Sequence, residues 1–163
     1  MDDLALLLRV SKSTVYEYFG TKEEILSYVV EVKIEEMQLL KDDLIPKFLA
    51  APHDLVHLQA YLLALPKGIS AHFLQELKQH FPTVWGKVWE YLENLLDDLR
   101  SYYEVGISSG SFQPISPQLL VMIDRFFLTQ LFAPPDFLGE DYSLEKMVKE
   151  YVKLRFEGLE LRG

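Results

Sequence analysis

Apolar residues recur at helical spacing along nearly the whole chain, and no stretch alternates apolar and polar residues between turn signals. The pattern predicts an all-α fold. Breakers divide it into eight helices. The first covers roughly 2–8. The second covers 12–19, with Ser11 as N-cap and Gly20 as its end. Thr21 and Glu24 then form a T-x-x-E capping box. They start a long third helix, expected to run to Ile45 and stop at Pro46. The fourth is expected over 53–65, between Pro52 and Pro66, and the fifth over 70–80 from Ser70. The sixth starts at Pro82, which suits a first helical turn, and is closed near Ser108 by Ser109-Gly110-Ser111. The seventh is expected over 117–132, ended by Ala133-Pro134-Pro135. The eighth starts at Ser143 with half a capping box, since Lys146 stands where glutamate would complete it, and runs to about Leu161.

The two closing helices stand apart. Between Leu119 and Phe132 the polar side chains are Asp124, Arg125, Thr129 and Gln130. A helix this apolar must be covered on more than one side. The final helix has one apolar set at 144, 148, 151, 152 and 159 and another at 147, 154 and 161. One face serves its own core and the other suits a partner, as in a symmetric four-helix dimer interface. Leu120, Phe127, Leu131, Met147, Tyr151 and Leu154 are the candidate interface residues. On periodicity alone, closure of a monomeric bundle fits equally well.

Composition narrows the field. Of 163 residues, 49% are apolar and 25% charged, enough for a real core and unlike a disordered chain. No cysteine is present, which removes disulfides, thiolate metal sites and cysteine nucleophiles. Apolar runs such as Leu4–Leu8 and Leu119–Ile123 are far too short to span a bilayer. Asp2 and Asp3 stand where a signal peptide would be basic, so a cytoplasmic location is expected, away from membranes. The net charge of −9 would repel a phosphate backbone if spread evenly. It is not: acidic and basic residues balance over 1–22, and the whole excess lies beyond. A neutral head on an acidic body suggests two roles.

The head carries the informative segment, Val10-Ser11-Lys12-Ser13-Thr14-Val15-Tyr16-Glu17-Tyr18-Phe19-Gly20-Thr21-Lys22-Glu23-Glu24-Ile25-Leu26. Val10, Val15 and Phe19 are spaced to bury one side. The opposite side keeps small hydroxyls and a lysine at a helix N-terminus, which suit phosphate contact and entry into the major groove. With the preceding short helix it reads as the second half of a helix-turn-helix. This string resembles the recognition helix and following helix of the TetR family of transcriptional repressors. The Phe81-Pro82-x-x-Trp85 entry, the Gly106-Ile107-x-x-Gly110-x-Phe112 exit and the closing helix pair resemble the family more loosely.

The resemblance implies a partial helix-turn-helix over 1–28 and an effector-binding and dimerisation bundle over 29–163. It implies that Ser13, Thr14, Glu17 and Tyr18 face the groove, that Tyr16 and Lys22 meet phosphates, and that Lys12 adds a further phosphate contact. Packing of Tyr18 on the long helix is the competing reading. Family members carry a whole first helix ahead of this motif, which is expected to be missing here. Leu4, Leu7, Val15 and Phe19 then lose cover worth several kcal/mol at about 25 cal/mol per Å², and full operator binding is expected to need that helix. The resemblance also implies an effector cavity among the middle helices. Tyr61, Phe73, Leu77, Trp85, Trp89, Tyr102 and Phe126 are its candidate lining, which suits an apolar or planar ligand.

Other chemistry finds little support. His53 and His57, and His72, Glu76 and His80, are spaced one helical turn apart. No H-E-x-x-H pattern accompanies them, and the outer pair of the second set lies about 12 Å apart along the axis, so no metal is expected. No nucleophile elbow, P-loop or dinucleotide fingerprint appears, so neither an enzyme nor a cofactor is expected. The expected protein is a TetR-like repressor that binds operator DNA as a homodimer and is released by a small molecule. The alternatives are a dimeric sensor or antagonist that does not bind DNA, and an all-α carrier.

Overall fold

A computed structural model of the chain describes residues 11, 13, 17–131 and 143–157. Among these it forms six longer helices: α1 (Lys22–Ala50), α2 (Val56–Ala64), α3 (Ala71–His80), α4 (Pro82–Ser108), α5 (Pro117–Leu131) and α6 (Leu144–Glu157). The all-α expectation holds. Residues 13, 17 and 18 are helical, in keeping with the expected second helix, whereas the first lies outside the described residues.

Local chemistry sets most boundaries. The Thr21 hydroxyl accepts from the Glu24 N–H at 3.1 Å, and the Glu24 carboxylate accepts from the N–H groups of Gly20 (2.7 Å) and Thr21 (3.3 Å). Three N–H groups around the α1 start are satisfied this way. Thr21→Ala should cost about 1 kcal/mol, read as a lower urea midpoint at unchanged slope. Ser70 caps α3 by accepting from Phe73 N–H at 3.1 Å, and Ser143 caps α6 by accepting from Lys146 N–H at 3.1 Å. Pro82 and Pro117 open α4 and α5.

Two boundaries differ from expectation. Helix α1 does not stop at Pro46 but continues to Ala50. Proline deprives the helix of one N–H bond. Leu44 and Phe48, on either side of it and both buried, keep the core-facing stripe continuous, and Pro46 itself lies exposed. Packing outweighs the local break. Helix α2 begins at Val56 rather than 53, because the Asp54 carboxylate accepts from Val56 N–H at 3.1 Å and holds a turn there.

The long helices α1 and α4 form the spine. Helix α2 packs on α1, α3 and α5 pack on α4, and α6 closes against α2. One core runs through all six, centred on Met37, Phe48, Tyr61, Leu77, Leu96, Tyr102, Leu120 and Phe156. Tyr102 sits at its middle with rings of Phe48, Phe112 and Phe156 edge-on around it, and its hydroxyl donates to the Pro52 carbonyl at 2.8 Å.

Candidate ligand cavity and DNA-facing segment

The spine does not fill the bundle. All six helices and the α2–α3 loop contribute to the wall of a cavity of about 720 Å³. Its wall is mostly aliphatic: Val30, Ile34 and Met37 from α1, Val88, Leu92, Leu95 and Leu99 from α4, Leu128 and Leu131 from α5, and Val148 and Val152 from α6. Leu65 to Ser70 line it from the loop, where Gly68 takes φ of +74° and donates its N–H to the Glu145 carboxylate on α6 at 3.3 Å. Lys33, Glu36 and Lys67 also line it. Glu36 and Lys67 are exposed, which places them at its opening, and the Lys33 ammonium is held by Glu36 (3.3 Å) and by the Ala64 carbonyl (3.4 Å).

Two polar clusters interrupt the apolar wall. In the first, Asp124 on α5 is 3% exposed. Its carboxylate accepts from the Tyr103 hydroxyl at 2.6 Å, from the Tyr151 hydroxyl, and from Arg155 Nε at 3.0 Å. The Arg155 guanidinium lies over the Tyr103 ring, 5.2 Å from its centroid. Burial, and next the Asp124 charge, push both phenols well above the ordinary tyrosine range, so they keep their protons. In the second, the hydroxyl of Tyr91, which lines the cavity, meets that of Tyr61 in the core behind it at 2.6 Å. Burial is the main cause that pushes Tyr91 up to about 12 and Tyr61 higher still. A phenol whose folded pKa is raised stabilises the fold fully below its unfolded value near 10, and that contribution is lost as pH rises through the folded value. The urea midpoint should therefore fall between pH 10 and about 12, with tyrosinate absorbance rising in the same window.

The structure sorts the expected residues. Of the seven candidate lining residues, Phe73 lines the cavity. Tyr61, Leu77 and Tyr102 are buried core, Trp85 and Trp89 lie against each other at 6.3 Å on the first turns of α4, and Phe126 is 67% exposed. Of the six candidate interface residues, Leu120 is 1% exposed and Leu131 is buried. Phe127 and Tyr151 stack flat, 3.7 Å between centroids, and line the cavity with Leu131. Met147 packs on the core edge, and Leu154 is 77% exposed. The exposed apolar stripe of α5 is instead Leu119, Met122, Ile123 and Phe126, one position out of phase with the expected set. Asp124 and Arg155 have no role in the expectations drawn from the sequence. A lone acid in so apolar a helix was the available signal, since a buried charge demands a partner.

At the front, Ser13, Glu17 and Lys22 are exposed and Tyr18 is 81% exposed, which excludes its packing on the long helix. Lys12, Thr14 and Tyr16 lie outside the described residues. Phe19 turns inward onto Tyr28, 5.4 Å between centroids. The first turns of α1 are tied to the start of α4: Lys22 lies over the Phe81 ring, and Lys87 donates to Ser27 Oγ at 2.7 Å and pairs with Glu31. The Lys87 ammonium holds the Glu31 carboxyl below the usual carboxylate range.

No family model matches the chain. It is 24% identical over 169 residues to YvaF, an uncharacterized HTH-type transcriptional regulator of Bacillus subtilis, covering 98% of this chain and 84% of that protein. It is 28% identical over 127 residues to YhgD, an uncharacterized HTH-type transcriptional regulator of the same organism, covering 76% of this chain and 66% of that protein. Against the HTH-type transcriptional regulator RutR of Escherichia coli O157:H7 it is 24% identical over 127 residues, covering 76% and 59%. Among solved structures it matches PfmR, a TetR family transcriptional regulator from Thermus thermophilus. The TM-score is 0.62 at 24% identity, covering 98% of this chain and 88% of that one. Among the described residues no helix is long and apolar enough to cross a membrane. The chain thus has the fold of a TetR family regulator, and its sequence is similar to HTH-type transcriptional regulators.

Proposed function

We propose that the chain is a ligand-responsive transcriptional repressor that binds operator DNA as a homodimer in the cytoplasm and releases it when a small molecule fills the cavity. The observation that carries this reading is the course of α1. It begins a few residues after the exposed Glu17 and Tyr18, and Val30, Ile34 and Met37, further along the same rigid helix, wall the cavity. A ligand that pushes on this wall favours a different spacing of the two recognition helices, which no longer fits successive major grooves. The ties from Lys22, Ser27 and Glu31 to the start of α4 make the front of α1 move with the body.

The exposed α5 stripe and Leu154 support the dimer. Four large apolar side chains on one helix face are costly in water and suit burial against a second copy. Met122→Glu combined with Phe126→Glu should convert the protein from twice the chain mass to a single 19.0 kDa species in sedimentation. The test of function is binding to DNA from its own promoter region by the protein as its native cells make it. Specific binding that weakens by orders of magnitude between about 50 and 200 mM salt is the expected result. Its absence at the lowest salt, with the dimer intact, would move the reading to a sensor that acts through a protein partner.

A further inference from the structure

The α5–α6 side of the cavity's polar lining is chemically one-sided. Tyr103, Asp124 and Tyr151 all line the cavity. Both phenol protons point at Asp124, whose Oδ1 takes Tyr151 and Arg155 and whose Oδ2 takes Tyr103. Tyr103 and Asp124 are almost fully buried, at 0% and 3% exposed, so what the wall offers a ligand is the lone pairs of the half-buried Tyr151 hydroxyl, whose proton is already committed to Asp124. A ligand group that reaches this wall therefore meets acceptors. It also meets no net charge, because the Asp124 carboxylate and the Arg155 guanidinium balance. Tyr151, the half-buried member of the cluster, is the phenol that a ligand reaches first.

We propose that the cavity takes a largely apolar molecule whose polar end is a neutral hydrogen-bond donor, an alcohol or phenol hydroxyl, seated on the Tyr103–Asp124–Tyr151 wall. The proposal rests on the effector-cavity reading above and names its ligand class. An ether oxygen offers that wall a second acceptor and is repelled. A carboxylate adds charge to the same mismatch. An ammonium group has the donor but brings a charge that the neutral Asp124–Arg155 pair does not compensate, so its desolvation is unrepaid. Lys33 and Lys67 near the opening supply the competing arrangement, in which an anion stays at the mouth and its tail points inward.

The experiment uses the full chain loaded with Nile red, a neutral apolar dye, and four probes with the same ten-carbon tail: decan-1-ol, its methyl ether, decanoate and decylammonium. The expected result is displacement by the alcohol at about tenfold lower concentration than by each of the others, a difference of about 1.4 kcal/mol. In Tyr151→Phe the advantage of the alcohol over its ether should shrink several-fold, a ratio that a general loosening of the cavity would not change. An ether as effective as the alcohol overturns the donor requirement. A tighter carboxylate places recognition at the lysines and overturns the proposal, as does a tighter ammonium. Dye that binds but yields to the charged probes overturns the ligand class and leaves the cavity reading standing. Failure of the dye and of all four probes to bind overturns both.

Discussion

Asp124→Ala is expected to destabilise the protein by about 3–5 kcal/mol, the usual loss when one partner of a buried ion pair is removed. The carboxylate joins three helices: it sits on α5, takes Tyr103 from α4, and takes Tyr151 and Arg155 from α6. Its removal strands three donors at once. Two are phenols, and each group left unsatisfied costs about 1–3 kcal/mol. The third is a guanidinium, 11% exposed at its side chain, whose Nη2 already has no hydrogen-bond partner. The measurement is urea denaturation at matched protein concentration, because the proposed dimer would make stability depend on concentration. Asp124→Asn keeps the shape and one carbonyl acceptor and should lose less. Asp124→Leu with Arg155→Met removes both charges and should recover part of the loss. A midpoint for Asp124→Ala within about 0.5 kcal/mol of the parent, the range of ordinary surface changes, would show that the cluster does not hold the helices together.

That cluster also marks where sequence reading stops. Helix starts were legible because their chemistry is local. Thr21 with Glu24, Ser70, Ser143, Pro82 and Pro117 each act within one turn, and each opens a helix where expected. Pro46 misled because the force that overrides it comes from other helices, through Leu44 and Phe48. Phasing failed on α5 for a related reason. A helix apolar nearly all round has no polar face to set its rotation, and a slip of one residue turns it by about 100°. Hence Leu120 is core while Leu119 is on the surface. The cavity was equally hidden. Its wall is built from aliphatic side chains of several helices, and nothing local separates a leucine beside a void from one in solid core. The aromatic residues drew attention by their size. Most of them fill the core around Tyr102 instead.

Gly106→Ala is the second large effect, and it runs against helix propensity. In an open helix position the change would stabilise by up to about 1 kcal/mol. Here an added Cβ would lie 2.1 Å from Phe112 Cδ2 and 2.2 Å from its Cε2, far inside van der Waals contact. The ring has nowhere to go. Phe112 is 2% exposed, its N–H donates to the Gly106 carbonyl at 3.0 Å, and its face meets Tyr102 edge-on at 5.1 Å. Tyr102 is itself pinned by its bond to the Pro52 carbonyl. The glycine is there so that the chain can fold back over the end of α4 and drop Phe112 into the core. Overpacking of this kind costs about 1–3 kcal/mol, and so severe an overlap belongs at the upper end. The decisive measurement is a double-mutant cycle. Phe112→Ala alone should cost about 3–5 kcal/mol by leaving a cavity. In that background Gly106→Ala should become neutral or stabilising, because the methyl group enters the vacated space. If the two losses simply add, the contact between Gly106 and Phe112 does not determine the packing at this corner, since independent sites add and touching ones do not.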